Sequence, residues 1–144
     1  MSNQGQMFRF EKRSKYPHLK PADILIWERF IEKYPQAYDS VRYDVPVGTP
    51  PPFSTIVNQE SGGDDVKLFL RKIDVVGHKE GEIDIIELKP RAGTSALGQV
   101  KGYKLLFVRD YKPSAKVRAV VITDKIEQDM FELAEAEGVE LVAV

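Results

Sequence analysis

The sequence contains no cysteine. Disulfides and thiolate metal centres are therefore excluded, and nothing marks the chain for an oxidising compartment. Histidine is scarce: only His18 and His78 are present, too few for a histidine-rich zinc site. No apolar run approaches the roughly 18 residues needed to span a bilayer. The first residues, MSNQGQMFRF, lack the apolar stretch of a secretory signal. A cytoplasmic protein with no membrane partner is expected. Internal repeats and low-complexity tracts are absent. So is a net charge of one sign, the sum being −1.

What is present is an ordinary globular balance, 42% apolar and 30% charged over 144 residues, enough for one domain with its own core. The charges are unevenly spread. Residues 89–118 carry Lys89, Arg91, Lys101, Lys104, Arg109, Lys112, Lys116 and Arg118 against the single acid Asp110. The N-terminal stretch adds Arg9, Lys12, Arg13, Lys15 and Lys20, whereas residues 124–140 hold seven acids and only Lys125. A basic side and an acidic side suit a polyanionic partner. Solvated helix faces produce the same runs.

Along the chain, residues 1–20 read as a basic, loosely ordered arm, and 21–144 as a single domain. Pro21 opens a helical pattern in which Ile24, Trp27, Ile31 and Tyr34 recur at three- and four-residue spacing, and Pro35 ends it. Tyr38 to Val47 reads as a strand. The Pro- and Gly-punctuated stretch after it is expected to be a mobile loop. Val66 to Val76 and Glu82 to Lys89 are two further strands. Thr94 to Arg109 is a helix with Thr94 or Ser95 as N-cap, in which Gly98 and Gly102 permit close approach to the sheet. Val117 to Thr123 is a strand buried on both faces. Ile126 to Glu137 is an acidic amphipathic helix, and Val139 to Val144 a last strand. The order α-β-β-β-α-β-α-β implies an α/β fold with a mixed central sheet flanked by helices.

The turn between the second and third strands carries the strongest chemical signal. If Glu80-Gly81 is a two-residue hairpin loop, partners sum to 161 and Asp74 faces Glu87. Directly opposed residues share a face with Cβ atoms roughly 4.5–5.5 Å apart. Two carboxylates so placed repel, and burial makes them take up a proton or bind a cation. A hard divalent ion such as Mg²⁺ answers that need. Lys89 shares the face of Glu87 and can balance charge or meet a phosphate. A five-residue loop from Gly77 to Gly81 would instead set Asp74 against Asp84. The shorter loop is preferred because it keeps Ile83 and Ile85 on the face of Glu87. It leaves Asp84 opposite Gly77, where it can reach solvent. His78 reads as an exposed turn residue.

The pattern Ile73-Asp74-Val75-Val76-Gly77, then Glu87-Leu88-Lys89 thirteen residues from Asp74, resembles the PD-(D/E)XK nuclease superfamily. The spacing is similar to that of archaeal Holliday-junction resolvases. Gln99 and Tyr103, four apart on one helix face, resemble the Gln-x-x-x-Tyr motif of RecB-family nucleases. The resemblance covers about residues 21–144 and departs from the name in having Ile-Asp for Pro-Asp. It implies a restriction-endonuclease-like fold and a metal-dependent endonuclease hydrolysing DNA phosphodiesters, with a structure preference such as junctions. Asp74, Glu87 and the carbonyl of Leu88 would hold Mg²⁺, with Mn²⁺ as a substitute. Lys89, Gln99 and Tyr103 would serve the reaction, with an acid from the first helix, Glu28 or alternatively Glu32. Arg91, Lys101, Lys104 and Arg109 would contact backbone phosphates. The expected assembly is a homodimer or a subunit of a larger nucleoprotein complex, in keeping with a phage or mobile element. The competing readings are a non-catalytic nucleic-acid-binding or structural subunit with the same fold, and a small regulatory α/β domain.

Overall fold

Proline brackets the first helix: the ring is tolerated in a first helical turn but not in the interior. Accordingly α1 (Pro21–Lys33) begins at Pro21 and ends before Pro35, after a two-residue strand β1 (Phe8–Arg9). The structure, a computed structural model, describes residues 3–50 and 70–144. It continues with β2 (Ser40–Val47), β3 (Arg71–Lys79), β4 (Glu82–Ala92), α2 (Thr94–Tyr111), β5 (Lys116–Ile126), α3 (Met130–Ala136) and β6 (Val139–Ala143). Among the described residues the elements follow one another as expected, with one short strand added in front. The loop expected to be mobile, and the expected start of a strand at Val66, fall within 51–69, outside the described residues.

The six strands lie in chain order in one sheet. β1 to β4 pair antiparallel, while β4, β5 and β6 pair parallel. Parallel neighbours need crossovers, which α2 and α3 supply. Their side chains Val100, Phe107 and Met130 pack with Val45, Ile85 and Val121 of the sheet in one core layer. Trp27 and Phe30 of α1 form the other layer with Val75, Ile86, Leu88 and Val120. β4 alternates between the two, Ile83 and Ile85 toward α2 and Ile86 and Leu88 toward α1. A buried carboxylate at Glu87 therefore belongs to the α2 side. Among the described residues no helix is long and apolar enough to cross a membrane.

Several expectations are corrected. Residues 8–19 are not a loose arm. β1 pairs with β2, Tyr16 is buried, and Phe8, Phe10 and Leu19 pack against the α1-side core. Phe10 meets Trp27 edge-on at 5.5 Å between ring centroids. Aromatic residues set between the basic ones outweigh the polar composition. The buried stripe of α1 is rotated to Asp23, Ile26, Trp27, Phe30 and Ile31, leaving Leu25 exposed. The N-cap of α2 is Gly93, with no side-chain cap bond, so Thr94 is already helical. β5 runs to Ile126, shortening the last helix to seven residues. Among the described residues an added Cβ at Gly98 or Gly102 would meet nothing within 4 Å, so neither glycine serves a close approach to the sheet.

Candidate active site

Glu80 and Gly81 both adopt positive φ, 28° and 76°, as a tight two-residue hairpin turn requires. The turn sets the pairs Lys79↔Glu82, Gly77↔Asp84 and Val75↔Ile86, all summing to 161. The ladder stops at Val75↔Ile86, and at the next position the Leu88 N–H donates to Asp74 Oδ2 at 2.9 Å. Asp74 thus stands where it would face Glu87, its carboxylate replacing a main-chain acceptor.

Glu87 is 4% exposed, and its Oε2 is buried without a hydrogen-bond partner among the described residues. Only a proton placed between the two carboxyls would let it bond to Asp74. Lys89 Nζ lies 3.9 Å from Glu87 Oε1. Burial, and then the charge of Asp74, push the Glu87 carboxyl up to about 8, against the pull of Lys89. Asp74 is also raised, chiefly by burial, with the Leu88 N–H opposing. Around neutral pH the pair therefore holds a proton or calls for a cation.

A cleft of about 330 Å³ opens over this pair. Gln99 and Tyr103 of α2 line it, and Gln99 Nε2 donates to Tyr103 Oη at 2.9 Å. Lys20, Lys72 and Lys89 line it as well, with His18 and Asp23. Burial raises Asp23, while Lys20 and Lys89 lower it. Among the described residues no three acid, histidine or cysteine side chains are grouped as a complete metal cage. Two carboxylates with one orphaned oxygen fit a hard divalent ion that keeps several waters, rather than a fully protein-ligated metal. A larger cavity of about 500 Å³ lies around Arg118, but that guanidinium is engaged by Asp84 and Glu140, and Tyr38 donates to the same Asp84 carboxylate.

The structure thus gathers Asp74, Glu87, Leu88, Lys89, Gln99 and Tyr103 around one cleft. It does not bring Glu28 there: its Oε2 accepts from Tyr16 Oη at 2.8 Å, while Glu32 pairs with Lys12. α1 contributes Asp23 instead, because its buried stripe starts at that residue. The spacing 23-26-27-30-31 was the signal that could have found it. Nor do the basic residues of α2 face the cleft. Lys101 pairs with Glu137, Arg109 with Asp110, and Lys104 borders a groove beside Lys116 and Glu135. Arg91, at the rim of β4, is exposed and aligned with Lys125 of β5. Asp84 does not reach solvent: it is 5% exposed and accepts from Arg118 and Tyr38. His78 is half-buried in β3 beside Arg42, at 3.1 Å.

Comparison with known proteins adds a family. The model described as the endonuclease NucS C-terminal domain matches residues 67–144, more than half of the chain. Endonuclease NucS of Aeropyrum pernix is 37% identical over 87 residues, covering 54% of this chain and 32% of that protein. Among solved structures, a repair endonuclease from Pyrococcus abyssi is similar over 91% of this chain and 49% of its own, with 21% identity and a TM-score of 0.48. An EndoMS–double-stranded DNA complex is similar over 92% and 48%, with 17% identity and a TM-score of 0.49. The chain spans about a third of the curated relative and about half of these solved chains.

Proposed function

The chain belongs to the endonuclease NucS C-terminal domain family, and on that premise we propose that it is a metal-dependent nuclease that hydrolyses DNA phosphodiesters. The carrying observation is the buried carboxylate of Glu87, one oxygen unpartnered, set beside Asp74 and Lys89 at the floor of an open cleft. The relationship to PD-(D/E)XK nucleases is part of the same proposal and rests on the order Asp74, Glu87, Lys89.

Asp74 and Glu87, with the main-chain carbonyl of Leu88, would hold Mg²⁺ or Mn²⁺. When bound, such an ion supplies an acidified water and neutralises charge on the scissile phosphate. Asp74 is oriented for this by the Leu88 N–H, which leaves its second oxygen for the cleft. Lys89 stands beside Glu87 and meets the attacking water or the non-bridging oxygen on which charge grows. Gln99 and Tyr103, bonded to each other, position the phosphate from the α2 wall. Asp23 adds a third acid at the opposite wall and Lys20 and Lys72 supply positive charge for the strand. One such centre cuts one strand, so cleavage of both strands or of a junction requires a symmetric dimer.

The test is cleavage of labelled linear, nicked and four-way-junction DNA with Mg²⁺ or Mn²⁺, beside Asp74→Ala and Lys89→Ala proteins. Metal-dependent cutting, lost in both variants, is the expected result, and the preferred substrate defines the structure selectivity. Salt-sensitive binding without cutting, unchanged in both variants, would replace the proposal by a non-catalytic DNA-binding subunit.

A further inference from the structure

His18 and Asp44 both adopt left-handed backbone conformations, with φ of 57° and 55°. Neither is glycine, and such conformations persist only where the surroundings impose them. The two residues face each other, His18 Nε2 lying 3.6 Å from Asp44 Oδ2. Packing does not repay the strain at His18, whose side chain is 76% exposed. The chain on either side is nonetheless pinned. Tyr16 is buried and accepts from the Arg13 N–H at 2.9 Å, and Leu19 packs against the core. The turn is therefore presented, and it is presented to the cleft, which His18 lines together with Asp74 and Glu87.

The position matters as much as the strain. Asp44 is in β2, Asp74 in the neighbouring β3, and Glu87 and Lys89 in β4 beyond it. His18 and Lys89 thus line the same cleft from different elements, His18 from the segment before α1 and Lys89 from β4. Asp44 itself marks a change of face in β2: Val41 and Tyr43 belong to the α1-side core, Val45 and Val47 to the α2-side core. That distortion is what turns its carboxylate toward His18. The imidazole Nε2 lies toward Asp44, and the ring lines the cleft. Both residues lie outside the segment 67–144 that carries the family match.

We propose that His18, oriented by Asp44, contacts the phosphodiester of the scissile strand where it enters the cleft. The proposal rests on the nuclease reading for the word scissile, but the contact itself is measurable without cleavage. The experiment compares wild type, His18→Gly, Asp44→Asn and Lys89→Ala. Binding of a labelled single strand and its duplex is read in Ca²⁺, cleavage in Mg²⁺, and Tm for each protein. Glycine relieves the backbone strain, so His18→Gly keeps or raises Tm. The same variant weakens DNA binding about tenfold and lowers kcat/KM roughly ten- to a hundredfold, the weight of one hydrogen bond to a charged group. Asp44→Asn shows the smaller loss expected of a positioning residue. His18→Gly that binds and cuts like wild type, beside an inactive Lys89→Ala, overturns the contact and leaves the nuclease reading standing. A fall in Tm that accompanies the loss of activity overturns it in favour of a structural role. Wild type that does not cut, yet binds in Ca²⁺ more tightly than His18→Gly, sinks the nuclease reading and keeps the contact. Wild type that neither binds nor cuts ends both.

Discussion

Asp84 and Glu87 sit three residues apart on the same strand, and both are buried. Their surroundings are opposite. Asp84 accepts two hydrogen bonds from Arg118, each 2.9 Å, and a third from Tyr38 at 2.7 Å. Glu87 has a lysine at 3.9 Å, another carboxylate in front of it, and one oxygen with no partner among the described residues. The difference separates two uses of a buried charge. A satisfied acid braces a fold, whereas an unsatisfied one costs stability and is retained for something that binds. Removing the two acids should accordingly have opposite consequences.

The largest effect is expected from Glu87→Gln, which keeps the shape and removes the charge. DNA cleavage in Mg²⁺ should fall by at least about a thousandfold, while the metal-free protein melts no lower than wild type. A cleavage rate close to wild type would place the reaction elsewhere. Asp84→Ala is the counterpart. It removes two of the hydrogen bonds of Arg118 and the acceptor of Tyr38, and should destabilise the fold by about 2–3 kcal/mol, below the range for fully buried pairs because Arg118 keeps Glu140 and its side chain is 38% exposed. Denaturant unfolding measures this, and cleavage by the folded fraction should stay within about threefold of wild type.

A third way to sharpen the contrast is pH. The Glu87 carboxyl is raised from 4.5 to about 8 in the folded state. Between those values the folded chain holds a proton that the unfolded chain has released, so stability falls as pH rises. The contribution is complete below the unfolded value and is lost by about pH 8. Melting curves of metal-free protein from pH 5 to 9 should show that decline, with Glu87→Gln flatter and added Mg²⁺ removing the loss at the alkaline end. A wild-type curve as flat as that of Glu87→Gln would mean the pair is not desolvated. The smallest effect concerns α2, whose cleft face carries Gln99 and Tyr103 while a Cβ at Gly102 would meet no atom of the described residues within 4 Å. Gly102→Ala should stabilise the protein by about 0.5–1 kcal/mol with cleavage unchanged. Destabilisation would show that this face is covered in the assembled protein.

The legible parts of the structure are those governed by neighbours in sequence. Pro21 and Pro35 frame α1, the apolar run Val117 to Thr123 is a doubly buried strand, and Glu80-Gly81 sets the hairpin register. That register alone was enough to oppose Asp74 and Glu87 and to put Lys89 on the same face. Less legible was which acid α1 sends to the site. Glu28, or alternatively Glu32, was the expected acid, but the stripe that packs begins at Asp23. A rotation of about 100° per residue suffices to exchange one candidate for another. The basic residues misled for a similar reason: Lys101 and Arg109 are spent on Glu137 and Asp110, and the cations at the cleft come from Lys20 and Lys72.

By itself the sequence determined a mixed sheet flanked by helices, the register of the central hairpin and the pair of acids that register brings together. Turn chemistry, proline geometry and hydrophobic alternation act over a few residues and are written locally. The tertiary structure alone decided that Asp23 joins the pair, that Asp84 is neutralised by Arg118 and Tyr38, 34 and 46 residues away, and that the N-terminal segment carries His18 to the cleft. Those outcomes depend on how helices rotate and settle against the sheet so that both core layers fill, a condition that many distant residues set together.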